Sequence, residues 1–201
     1  DPLYISLHKL GINIRSRKER IVTLELNLGR IRELKVQNLR IYYNKIFNET
    51  LKDIIKNFMN QHLWVSPYAS FKVLYNKNNG ANWRDWNYGS RYSTELQKEI
   101  IRENEDEFYF LVWIQYVAYQ QLREVKKNFE KEGVYLKGDM PILTSINSAD
   151  VWSRTELFDL SLNSGAPPDN FSEEGQNWHF PVIEWDRMKA ENYSWWKERL
   201  E

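Results

Sequence analysis

Apolar residues in the first two thirds of this chain recur at steps of three and four, the spacing that aligns side chains along one face of an α-helix. Between Arg17 and Phe47 they fall at Ile21, Leu24, Leu28, Ile31 and Leu34, then at Leu39, Tyr42 and Ile46. Gly29 interrupts that stripe at a cost of about 1 kcal/mol relative to alanine. Leu51, Ile54, Ile55 and Phe58 continue it after Asn48-Glu49-Thr50. Ser66-Pro67 opens a further helix, because proline lacks only an amide hydrogen that the first turn does not use. Phe71 and Leu74 face inward there, and Asn76 to Gly80 ends it. Trp83 and Trp86 follow, and Ser93 or Thr94 caps a short helix running to Ile101. Phe108 to Glu130 is the longest predicted helix, with Leu111, Val112, Val117, Leu122, Val125 and Phe129 as core candidates.

Strand signals are few by comparison. Val134 to Ile142 reads as a buried strand with a polar terminus, and Leu3 to Leu7 is a second candidate. A complete (β/α)8 barrel needs about 250 residues and eight strands, so this chain is not a whole one. Leu143 to Ile183 reads as loop, rich in Ser, Asn, Gly and Pro, before Trp185 to Glu201 returns to helix. A loop of that length in a compact domain is either functional or disordered. Five of the nine tryptophans lie after residue 150, and disordered segments are poor in aromatics, which favours function. Helix, strand, loop and helix in that order make one unit of an α/β fold. The opening Asp1-Pro2-Leu3-Tyr4-Ile5 without an initiator Met, and the close in mid-helix at Glu201, lead us to expect a piece of a longer chain.

Charge and composition narrow the function classes. The formal net charge is zero, with 28 basic and 28 acidic side chains, which argues against nucleic acid as a partner. Ten Lys/Arg against five Asp/Glu in residues 1–50, and five against eleven in residues 150–201, read as solvated helix faces. No run of about 18 apolar residues marks a membrane span, and no leader is evident. The chain has no cysteine, which fits a cytoplasmic setting. His8, His62 and His179 are too scattered for a metal set, and no phosphate loop or nucleophile elbow occurs, so neither metal nor cofactor is expected.

The chemistry concentrates in a few runs: Gly138-Asp139-Met140-Pro141, Ser148-Ala149-Asp150-Val151-Trp152, and Gly165 to Ser172 with Pro167-Pro168-Asp169-Asn170-Phe171. Gly175-Gln176-Asn177-Trp178-His179-Phe180-Pro181 and Asn192-Tyr193-Ser194-Trp195-Trp196 complete the set. Asp139 ends the predicted strand. There it either faces an active site, as carboxylates at the carboxyl ends of barrel strands do, or caps the loop through backbone amides. A sugar ring offers hydroxyl pairs at its edge and C–H patches on its faces. Asp169 and Gln176 suit the first and Phe171 and Trp178 the second, although the two rings equally suit a hydrophobic plug inside the loop.

These motifs resemble the 4-α-glucanotransferases of glycoside hydrolase family 77, the amylomaltases and disproportionating enzymes. That family writes Pro-Pro-Asp-x-Phe-Ser and Gly-Gln-x-Trp-Gly after a strand ending Gly-Asp-x-Pro. Gly-Gln-Asn-Trp followed by Phe-Pro is similar to the branch that includes the plant cytosolic disproportionating enzyme. The specific match covers about residues 133–200. A weaker one takes in Asp1 to Leu7, Trp64 to Trp86 and the helix with Gln115 and Gln121. Three positions depart from the pattern: His179 stands where the family has glycine, and Asn170 and Ile183 where tyrosines are usual.

The resemblance implies an α/β fold: a partial (β/α)8 TIM barrel with a large, mainly helical inserted subdomain. Residues 1–16 would be a barrel remnant, 17–130 the helical subdomain, and 131–201 a barrel strand, substrate loop and following helix. It also implies transfer of α-1,4-glucan segments between maltodextrins with retention, and Asp139, Asp169, Phe171, Gln176 and Trp178 as substrate-binding residues. The family's nucleophile lies in an Arg-Ile-Asp-His motif on the next strand and its acid/base glutamate later still, so no catalytic residue is expected before Glu201. Expected partners are maltodextrin, the remainder of the parent chain, or a second copy through unpaired strand edges. A glucan-binding module without chemistry and a helical interaction domain are the competing readings.

Overall fold

The computed structural model describes residues 1–12 and 27–200. By mutual contacts they form two compact units, one of Asp1–His62 with Tyr109–Lys137 and one of Leu63–Phe108 with Gly138–Glu201.

In the first unit, α1 (Leu28–Ile46) and α2 (Glu49–Gln61) start where asparagine side chains supply the acceptors that their first turns need. Asn27 Oδ1 accepts from Arg30 N at 2.9 Å and Asn48 Oδ1 from Leu51 N at 2.8 Å. Gly29 therefore falls in the first turn of α1, where its backbone freedom is least disruptive. Ile21 and Leu24, the first two positions of the predicted stripe, lie outside the described residues. Leu39, Tyr43, Ile55 and Phe58 are buried in this unit, as are Tyr109 to Ile114 and Val117 of α5 (Glu105–Lys131). The ring of Tyr43 sits 5.3 Å from Phe110 and 5.4 Å from Trp113. Within α5 the predicted core positions Leu111, Val112 and Val117 are buried, whereas Leu122 and Phe129 are exposed and Val125 is half-buried. A helical stripe is covered only as far as the elements packed against it extend, and among the described residues the buried apolar positions of this helix end at Val117.

Both predicted strands need correction. Leu3 to Leu7 is the end of a single 3-10 turn, Pro2–Tyr4, followed by irregular chain and a turn at Leu7. Side chains occupy the backbone groups there: Gln121 exchanges two hydrogen bonds with Ser6, and Lys35 Nζ donates to the carbonyls of Leu3 and Ile5. Gly133, at φ 72°, ends α5 with Val134 N bonded back to Phe129 O. Beyond it, Val134 to Met140 is neither strand nor buried, and Tyr135 is 79% exposed. An extended run becomes a strand only when a neighbour takes up its ladder of N–H and C=O groups, and none of the described residues does so.

The second unit holds α3 (Val65–Lys77), α4 (Thr94–Glu103), α6 (Ala149–Ser153), α7 (Trp185–Ala190) and α8 (Ser194–Leu200). Ser93 Oγ caps α4, accepting from Leu96 N at 3.0 Å. The region read as loop contains α6 and an antiparallel hairpin, β1 (Phe158–Ala166) with β2 (Gln176–Ile183). Its base is buried beside Trp195, whose ring meets Phe158 edge-on at 5.5 Å. Two register shifts interrupt the ladder, between Asp159 and Asn163 and between Asn163 and Gly165. At the first, the Asp159 carboxylate accepts from Ser161 Oγ and N, and these two bonds hold its pKa below the usual carboxylate range. The described residues are thus mainly helical with one two-stranded sheet.

Candidate functional site

The hairpin carries the site. Gly165 lets the strands close up, since a Cβ there would collide with the Gln176 carbonyl. Gly175, at φ 75°, turns the chain into β2, and a Cβ on it would lie 2.6 Å from the Ala166 oxygen. Between them Pro167-Pro168 stiffens the outgoing arm. Asp169 then closes the turn: its Oδ1 accepts from Phe171 N at 2.8 Å and Ser172 N at 2.9 Å. Asp169 N donates to Ser172 O, and Ser172 Oγ donates to Gly175 O at 2.7 Å. The capping considered for Asp139 occurs at Asp169 instead.

The two aromatic rings of the tip are not a plug. Phe171 is 95% exposed and Trp178 is 43% exposed. The Trp178 indole N–H donates to Gln176 Oε1 at 3.0 Å, so Gln176 orients the ring. Asp169, Phe171, Gln176 and Trp178 therefore share one tip. Asp139 is on the exposed segment before Pro141, and no hydrogen bond, ion pair or ring contact joins it to the other four.

Sequence reasoning missed what holds that segment. Arg199 of α8 donates to Pro141 O at 2.7 Å, approaches Thr144 Oγ1 at 3.5 Å and lies over the Trp195 ring at 4.4 Å. Trp195 Nε1 in turn donates to Asp150 Oδ1 at 3.0 Å. It missed too a cleft of about 660 Å³ whose walls include Arg84, Arg91, Tyr92, Ser153 and Glu156. No sequence motif joins the two stretches that line it. Among the described residues no group of three or more His, Asp or Glu is placed to hold a metal ion, and no helix is long and apolar enough to cross a membrane.

Comparison with known proteins decides the family. The family model described as 4-alpha-glucanotransferase matches residues 1–201, the whole chain. The chain belongs to the 4-alpha-glucanotransferase family. A 4-alpha-glucanotransferase of Chlamydia pneumoniae is 32% identical over 212 residues, which take in 100% of this chain and 40% of that protein. The 4-alpha-glucanotransferase DPE2 of Oryza sativa subsp. japonica is 38% identical over 149 residues, 72% of this chain and 16% of its own length. The amylomaltase from Streptococcus agalactiae, solved in complex with acarbose, superposes with a TM-score of 0.76 at 25% identity. That match covers 98% of this chain and 41% of the amylomaltase. The chain thus spans about 40% of the length of such 4-alpha-glucanotransferases, and the motifs from Gly138 to Trp196 had pointed to the same family.

Proposed function

We propose that this chain is the glucan-binding part of an enzyme that transfers α-1,4-linked segments between maltodextrins with retention of configuration. The observation that carries the reading is the hairpin tip, where two exposed aromatic rings stand on a turn that satisfies its own backbone. Phe171 and Trp178 offer faces to the C–H patches of sugar rings, while the second oxygen of Asp169 and the amide of Gln176 meet hydroxyls. Asp169, Glu173 and Glu174 make the tip acidic, which favours a neutral polyhydroxyl ligand over an anionic one. Asp139 completes the set from its own segment. An amylomaltase relative solved with acarbose supports the ligand class.

The parent fold in this proposal is a (β/α)8 barrel. The exposed apolar run Val134-Tyr135-Leu136 supports it, because such a run suits a strand whose neighbours belong to the longer relatives' remaining length. Retention requires two carboxylates about 5 Å apart, one attacking the anomeric carbon and one protonating the leaving oxygen. We assign neither to this chain. The test is incubation of the whole protein carrying this sequence with maltotriose, followed by product chromatography. Glucose together with longer maltodextrins is the expected pattern, and the 201-residue chain alone should give none. Binding without any product from the whole protein would replace the enzyme with a non-catalytic glucan-binding module.

A further inference from the structure

The hairpin tip has fewer free polar groups than its sequence promises. One oxygen of Asp169 is held by two backbone amides, the Gln176 carbonyl by the Trp178 indole, and Asn177 Oδ1 by the His179 amide at 2.9 Å. The Ser172 hydroxyl is turned to Gly175 O. A sugar edge takes donors and acceptors side by side, and among the proposed binding residues these are the second Asp169 oxygen and the Gln176 amide.

His179 follows Trp178 at once. It lies between Asn177 and Pro181, inside the stretch where the two strands are out of register. Its φ is 58°, in the left-handed region that disfavours any residue with a Cβ, and its side chain is exposed. A non-glycine residue held in such a conformation points to a use for its side chain. A neutral imidazole brings one further donor and one further acceptor on the residue next to Trp178.

We propose that His179 is a specificity-determining residue of the glucan surface, hydrogen-bonding the hydroxyls of the sugar beside the one that packs on Trp178. This rests on the function proposed above and adds a residue to it. The experiment is calorimetric titration of the whole protein with maltoheptaose, comparing wild type, His179→Gly, His179→Asn and Trp178→Ala, each with a thermal melt. Asparagine tolerates the left-handed region and keeps a donor and an acceptor. His179→Gly should weaken binding roughly 3- to 10-fold, the worth of one net hydrogen bond, while its Tm stays level or rises by about 1 °C. His179→Asn should retain most of the affinity. Wild-type affinity in His179→Gly overturns the inference, and if Trp178→Ala is weakened at the same time the proposed function stands without it. Failure of the wild type to bind, or full binding by Trp178→Ala, removes both.

Discussion

The second unit uses tryptophan in two opposite ways. Around Trp152, which is 1% exposed, the indole N–H groups bond to backbone far along the chain: Trp152 to Gly89 O at 2.8 Å and Trp83 to Ile146 O at 2.7 Å. Phe71, Trp86 and Tyr92 pack on Trp152 with centroids 5.0–6.3 Å away. At the hairpin tip Trp178 bonds only two residues back, to Gln176, and shows much of its ring to solvent. The first arrangement joins distant segments and exchanges indole surface for packing. The second fixes a ring's direction and leaves its face unspent. Trp152 and Trp83 are thus structural ties, and Trp178 is a displayed surface.

The sharpest way to break this comparison is Trp152→Ala. Removing the ring empties a well-packed site and should cost about 3–5 kcal/mol, read as a large fall in Tm. An unchanged melt would mean that the buried cluster holds nothing together. Gly175→Ala should cost roughly 1–3 kcal/mol, because the new Cβ meets Ala166 O and the backbone is left-handed. Its glucan affinity should fall more than that of a surface control, since the turn carrying Phe171 is displaced. Trp178→Ala should change stability by less than about 1 kcal/mol while weakening maltodextrin acceptors several-fold in kinetics at varied acceptor concentration. A strongly destabilised variant with unchanged acceptor dependence would put Trp178 in the same class as Trp152. The smallest effect is His179→Gly, a gain of about 0.5–1 kcal/mol from relief of the left-handed strain, measured by denaturant titration.

The helices were legible because their information is local. Period and caps lie within one turn, and Asn48 and Ser93 do in the structure what their residue types announce. Val134 to Ile142 is not paired as a strand among the described residues, and an apolar extended run says nothing about whether a neighbour is present to pair with it. The hairpin was missed although Phe158, Leu160 and Leu162 alternate with Asp159, Ser161 and Asn163, the period of a strand. The Gly- and Pro-rich turn and the displaced register hid that alternation. At the site, residue types gave the rings and polar groups of the tip. They did not reveal that Asp169 and Gln176 spend an oxygen each on holding the tip, because that depends on backbone angles set by Gly165 and Gly175.

The side-chain hydrogen bonds that shape the tip close between residues no more than three positions apart, from Asp169 with Ser172 to Gln176 with Trp178. Contacts so close in sequence form on the microsecond scale of a hairpin, ahead of the ties around Trp152 that must wait for remote segments to meet. The tip is consequently the portable part of this molecule. Grafted between two antiparallel strands that enter at Ala166 and leave at Trp178, residues 166–178 carry these side-chain hydrogen bonds with them. Such a graft would present the Phe171 and Trp178 rings on a scaffold that shares nothing else with this chain.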